Sequence, residues 1–213
     1  MSVLHVFDMD GTLLRGTTAS IEIARATGTL AQLEELESAF VLGTLDTRGF
    51  AAALHGLWRG LTPETVREVF HSSPWIDGMA EVLTDIKDRN EFSAVVTMSP
   101  DFFADLLRTV GADDVHASRF PALPMRRAPD PAGILTPADK VTIVDALLAK
   151  HGLDTDRCIA YGDSGSDIPL FEHLRHTVAV NATPALESLA AHRFTGGDLY
   201  AIYAAAREHL VPG

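Results

Sequence analysis

Asp8-Met9-Asp10-Gly11-Thr12-Leu13 follows directly on the apolar run Val3-Leu4-His5-Val6-Phe7, and the reading of this stretch decides the fold. The run has the character of a buried strand. Side chains two apart on extended backbone share a face, so the carboxylates of Asp8 and Asp10 converge just beyond the strand. Two like charges aimed at one place are tolerated with a cation, a shared proton or a chemical task. Gly11 and Thr12 add unhindered backbone and a hydroxyl, where an anion can be gripped.

Outward from this stretch, short apolar runs alternate with amphipathic segments, the signature of an α/β domain on a parallel sheet. Candidate strands are 3–7, 92–97, 115–117, 158–161 and 177–180. Between the first two lies a helical stretch over 17–70, with pieces at 20–27, 30–42, 49–59 and 63–70. It is far longer than one crossover helix requires and contains nothing strand-like. The expectation is an α/β, Rossmann-like parallel sheet of five main strands with a small inserted helical cap. The core would comprise residues 1–15 and 77–213, and the cap 16–76. Asp77-Gly78 opens the helix that returns to the sheet.

With 213 residues, 46% of them hydrophobic, the chain can bury a substantial core. No apolar run approaches the roughly 20 residues that span a bilayer, and the first residues lack a basic leader segment. The single cysteine, Cys158, lies in an apolar strand and reads as a packed thiol; a reducing cytoplasm fits. Net charge is −12, from 17 basic and 29 acidic residues, and no basic stripe marks a nucleic-acid partner. The histidines show no metal-ligand spacing, and His5 reads as a packed residue.

Three further motifs end or follow candidate strands, where open parallel sheets bind ligands. In Val95-Val96-Thr97-Met98-Ser99-Pro100-Asp101, Ser99 reads as a helix N-cap, Pro100 as the first helical residue and Asp101 as first-turn. Thr97 is then a hydroxyl beside free N–H groups, a seat for phosphate. In Thr136-Pro137-Ala138-Asp139-Lys140, Lys140 falls in a first helical turn, where its charge opposes the helix dipole unless an anion is near. Taken singly it reads as a surface lysine. Tyr161-Gly162-Asp163-Ser164-Gly165-Ser166-Asp167 brings two more carboxylates to the same rim, although such composition is also common in turns.

Asp8-x-Asp10-Gly11-Thr12, Thr97, Lys140 and Gly162-Asp163-x-x-x-Asp167, in this order, resemble the four motifs of the haloacid dehalogenase superfamily of phosphatases, and most closely its phosphoserine-phosphatase-like branch. The resemblance covers nearly the whole chain. It implies a phosphatase acting on a small phosphorylated molecule, with neither nucleic acid nor membrane as partner and with the oligomeric state left open. Asp8 would be the nucleophile that forms an aspartyl-phosphate. Asp10 would be the acid/base that serves the leaving group and then water. Mg²⁺ would be held by Asp8, the carbonyl of Asp10 and Asp163, with Asp167 binding a metal water or orienting Lys140. Gly11, Thr12, Thr97, Met98 and Lys140 would surround the phosphoryl group. Asp10 argues against a dehalogenase, and a cap without lysine argues against a phosphonatase. A phosphotransferase, a phosphomutase and a non-catalytic phosphate-binding module stand as alternatives.

The substrate-reading positions depart from the branch. The cap glutamate nine residues after the nucleophile is replaced by Thr17, and the carboxylate-reading arginine aligns with Ala52. Thr97-Met98-Ser99 stands where serine and two glycines are the pattern. Each missing charged contact removes about 1.5–3 kcal/mol, so a substrate other than phosphoserine is expected. Arg48 or Arg59 would substitute for the arginine if the register slips. Phe40, Phe50, Leu57 and Trp58 would suit a less polar leaving group or pack the cap, and Arg15, Arg119, Arg126 and Arg127 could reach a distal anion.

Overall fold

The computed structural model describes residues 2–210; residue 1 and residues 211–213 of the expected core lie outside the described residues. The elements run β1 (Leu4–Phe7), α1 (Ala19–Thr27), α2 (Leu30–Val41), α3 (Thr47–Leu57), α4 (Pro63–Ser72), α5 (Met79–Asp88), β2 (Phe92–Pro100), α6 (Asp101–Ala104) and β3 (Asp114–Ser118). They continue with α7 (Pro137–His151), β4 (Cys158–Gly162), α8 (Ile168–His173), β5 (His176–Val180), α9 (Pro184–Glu187), β6 (His192–Phe194) and α10 (Leu199–Leu210). A short 3-10 turn carries α6 on to Val110.

The sheet order is β3-β2-β1-β4-β5-β6, and every pairing is parallel. Helices cover both faces, so the strands bury both sides and read as continuous apolar runs. Leu4 and Val6 of β1 meet Val144, Leu147 and Phe171 on one face, while Phe7 joins Tyr161, Ile202 and Tyr203 on the other. β1 is central: the chain leaves it toward β2 on one side, and β4 flanks it on the other. The crevice at this switch of direction opens at the carboxyl ends of the strands.

The five expected strands are all present, and among the described residues the sheet adds a sixth, His-Arg-Phe at 192–194, which is short and only half-buried. One expectation needs correction. β2 extends to Pro100, which itself occupies the N-cap position of α6, so Ser99 is strand and not cap.

Four helices, α1–α4, lie between β1 and α5 and form the helical insertion. Their boundaries follow local chemistry. Thr18, Asp46 and Thr62 accept hydrogen bonds from backbone N–H groups in the first turns of α1, α3 and α4, and Gly28 ends α1 in the left-handed region. Leu33, Leu54, Trp58, Val66 and Phe70 turn inward and join the core cluster that includes Phe103 and Leu107.

Candidate active site

Asp8 directly follows β1, and its amide donates to the Tyr161 carbonyl of β4 at 2.9 Å. Its Oδ1 accepts from Lys140 Nζ at 2.6 Å, and the same ammonium donates to Asp167 Oδ1 at 2.6 Å. Lys140 is 1% exposed. The cation that opposes its own helix dipole is therefore compensated by two carboxylates from distant parts of the chain. Burial disfavours its charge, but Asp8 and Asp167 overcome this and raise its pKa.

The other oxygen of Asp167 accepts from the amides of Asp163 and Ser164, at 3.2 and 3.3 Å. This folds the 162–167 loop around it, and a Cβ on Gly162 would stand 2.5 Å from Asp167 Cγ. Glycine at 162 is a steric requirement.

Asp10 is engaged differently. Its Oδ1 accepts from the Ala19 amide at 2.7 Å and its Oδ2 from the Ser99 hydroxyl at 2.5 Å. Burial raises its pKa, against the opposing pull of Ser99, Ala19 and Lys140. Ser99 therefore acts on a residue 89 positions away, a role its capping signature concealed.

A divalent cation fits the remaining carboxylates. Asp8, Asp163 and Asp167 each offer an oxygen, all within 4.8 Å of one another. Asp163 Oδ1 is buried with no hydrogen-bond partner. Burial first, and Asp167 next, push Asp163 up to about 7. Burial and the three neighbouring carboxylates likewise push Asp8 well above the usual range, against the pull of Lys140. An oxygen-rich, undercompensated cluster of this kind suits a hard cation. Gly11 makes room for it: at φ +83° it is left-handed, and a Cβ there would run into the Asp163 carboxylate.

Two adjoining cavities meet at this point. One, about 450 Å³, is lined by Asp8, Asp10, Phe40, Thr97, Met98, Pro137 and the 164–166 loop. The other, about 210 Å³, lies between the helical insertion and the ends of β2 and the loops beyond it; Asp10, Phe40 and Met98 border both. Thr97 is buried, with its Oγ1 accepting from the Ser99 amide at 3.1 Å.

Not every expected residue reaches these cavities. The Gly11 amide, expected to face a phosphoryl oxygen, donates instead to the Thr17 carbonyl at 3.1 Å. Thr12 is buried outside both cavities, with its hydroxyl unpartnered. Thr17 is buried and donates to Glu22 at 2.6 Å. Arg48, Ala52 and Arg59 are exposed and line neither cavity; Arg48 faces Asp139 of α7 closely enough to stabilise its charge. Arg15, Arg119, Arg126 and Arg127 also stand outside them. Phe40 and Phe50 line the smaller cavity, whereas Trp58 is buried edge-on against Phe102. Cys158 is fully buried, and burial raises its thiol pKa.

A parallel sheet with this order carries four aspartates and a buried lysine at its carboxyl edge, and these residues come from the sequence motifs. The family model for haloacid dehalogenase-like hydrolases matches residues 5–172, and the chain belongs to that family. Among curated relatives, phosphoserine phosphatase of Archaeoglobus fulgidus is 26% identical over 192 residues, which is 88% of this chain and 55% of the relative. The chain thus spans about half of that protein's length. Phosphoserine phosphatase of Methanocaldococcus jannaschii is 25% identical over 189 residues, covering 88% of this chain and 89% of the relative. A substrate-bound phosphoserine phosphatase structure superimposes with a TM-score of 0.80 at 22% identity, covering 96% of this chain and 98% of that one. At that identity the likeness speaks for the fold. Among the described residues, no helix is long and apolar enough to cross a membrane.

Proposed function

We propose that this chain is a Mg²⁺-dependent phosphatase that hydrolyses a small-molecule phosphomonoester through an aspartyl-phosphate on Asp8. The observation that carries this reading is the different setting of the paired aspartates. Asp8 is clamped by Lys140 and faces the larger cavity, while Asp10 is turned toward Ser99 and Ala19, at the border with the second cavity.

A carboxylate oxygen of Asp8 attacks phosphorus as the bond to the leaving oxygen breaks, and Asp10 gives its proton to that oxygen. Water then attacks phosphorus, Asp10 takes the water's proton, and the Asp8 carboxylate is released with inorganic phosphate. A raised pKa suits Asp10 to arrive protonated. The Thr97 hydroxyl stabilises charge on the phosphoryl oxygens, Lys140 supplies positive charge through its contact with Asp8, and Asp167 positions Lys140. Asp8, Asp163 and the Asp10 carbonyl would hold Mg²⁺, which supplies positive charge against both the carboxylate cluster and the phosphoryl group. A reducing cytoplasm suits the lone buried thiol.

The test is a screen of phosphorylated metabolites and of phenyl phosphate with Mg²⁺, using Asp8→Asn as the blank. Phosphate release above the blank is expected. If no phosphomonoester is turned over, the reading fails.

A further inference from the structure

The smaller cavity is where a leaving group must lie if the phosphoryl group sits between Asp8 and Thr97, because Asp10 borders both spaces. Its walls are mostly carbon: Phe40, Phe50, Leu54, Met98, Phe120 and Ile134. Phe40 and Phe50 pack on each other with ring centroids 5.6 Å apart. Among the described residues, no lysine, arginine or histidine lines this cavity or its neighbour. Two of its hydroxyls are already engaged, Thr18 with the Ile21 amide and Ser99 with Asp10. Apart from Asp10, its one ionisable group among the described residues is Glu37 of α2, whose pKa burial and then Glu34 raise.

Resting on the phosphatase reading, we propose that the substrate is the phosphomonoester of a predominantly apolar alcohol with no second anionic group, and that Glu37 excludes leaving groups that carry a carboxylate. A carboxylate placed here would lose its water, find no cation and face Glu37. An alkyl or aryl group meets walls that are mostly carbon. Cavities of roughly 150 Å³ accept a benzene ring, so a space of about 210 Å³ takes a ring or chain somewhat larger.

The series to measure is the n-alkyl phosphates from methyl to decyl, with phenyl phosphate and phosphoserine alongside. Each methylene that enters the cavity should raise kcat/KM by about fourfold, with the gain ending once the space is full, at about six to eight carbons. Phosphoserine should fall well below hexyl phosphate. Phe50→Ala should reduce the hexyl-to-methyl ratio at least tenfold, and Glu37→Gln should raise the phosphoserine-to-hexyl ratio. The n-alkylphosphonates, which have no ester bond to break, supply an independent readout by calorimetry with Mg²⁺. Their affinity should climb with chain length, and the phosphonate analogue of phosphoserine should bind weakly.

The two readings fail separately. Without turnover of any ester, a phosphonate affinity ladder that is lost in Phe50→Ala leaves the apolar pocket standing and removes the phosphatase. A flat series, or a preference for the carboxylated compounds, overturns the apolar leaving group even in an active enzyme.

Discussion

Replacing Lys140 with methionine tests the electrostatic centre of the molecule. The ammonium is 1% exposed and lies 2.6 Å from both Asp8 and Asp167. Methionine has a similar length and no charge, so packing is largely kept while the counter-charge is lost. Removing one member of a buried ion pair costs about 3–5 kcal/mol. With a urea dependence of about 2–3 kcal/mol per molar, the unfolding midpoint should fall by about 1–2.5 M, measured with chelator present so that no cation compensates. The deficit should depend on pH with a defined sign. Without Lys140, the crowded carboxylates hold a proton in the folded state at pH values where the unfolded chain, titrating at about 3.9, has lost it. The folded state then binds more protons, so stability falls as pH rises above about 4. The deficit should be larger at pH 8 than at pH 5, Mg²⁺ should narrow it, and Asp167→Asn in the same chain should recover part of it. A midpoint within about 0.3 M of the parent, with the same deficit at both pH values, would refute the view that this lysine neutralises the carboxylate cluster.

The remaining expectations concern the neighbours of this centre and the far end of the sheet. Ser99→Ala removes the hydroxyl 2.5 Å from Asp10; kcat should drop about tenfold or more, as expected for a charge-assisted hydrogen bond, with Ser99→Thr retaining most of it, and equal rates for the two variants would count against the role. Gly11→Ala should abolish the Mg²⁺-induced rise in melting temperature, because a Cβ on this left-handed residue would run into the Asp163 carboxylate; a normal rise would place the cation elsewhere. His5 is buried between the Tyr161 hydroxyl at 3.1 Å and Glu91 at 3.2 Å, and burial lowers its pKa. The unfolded chain takes up this proton near pH 6.5 and the folded chain only at lower pH, so stability should decline as pH falls below about 6.5. Denaturant titrations at pH 5 and 7.5 should show that slope in the parent and a shallower one in His5→Gln.

Much of the architecture was legible because its signals are local. Strands buried on both faces must be apolar throughout, and helix ends need a hydroxyl, a carboxylate or a glycine, so β1 and the insertion could be bounded from composition alone. The two-residue spacing of Asp8 and Asp10 follows from the pleat. What local pattern did not disclose depends on approach between distant segments. Ser99-Pro100-Asp101 is a sound capping signature, yet the strand runs on to Pro100 and the Ser99 hydroxyl serves Asp10 instead. The orientation of the Gly11 amide toward Thr17 is set by the turn into the insertion. Glu37 carries no sequence signal, since one glutamate among three in α2 acquires meaning only where the helix meets Met98 and Phe120 across the cavity.

The same contrast explains how one site can keep its chemistry while changing its substrate. The residues proposed to surround phosphorus come from the ends of β1, β2 and β4 and the start of α7, which a six-stranded parallel sheet holds in place. The proposed leaving-group wall comes largely from α1–α3, with the end of β2 and the loops beyond it opposite, and the packing of those helices can be altered without moving Asp8 or Lys140. Thr17 illustrates the point. Its hydroxyl donates to Glu22, which in turn pairs with Arg25 at 2.5 Å. A glutamate at 17 would confront Glu22 with a like charge in a buried setting, and the exposed Ala52 stands outside the cavity. Recovering an amino-acid leaving group would therefore require rebuilding the Glu22–Arg25 pair and the register of α3 together. The apolar cavity thus belongs to the packing of the whole insertion, not to the loss of two contacts alone.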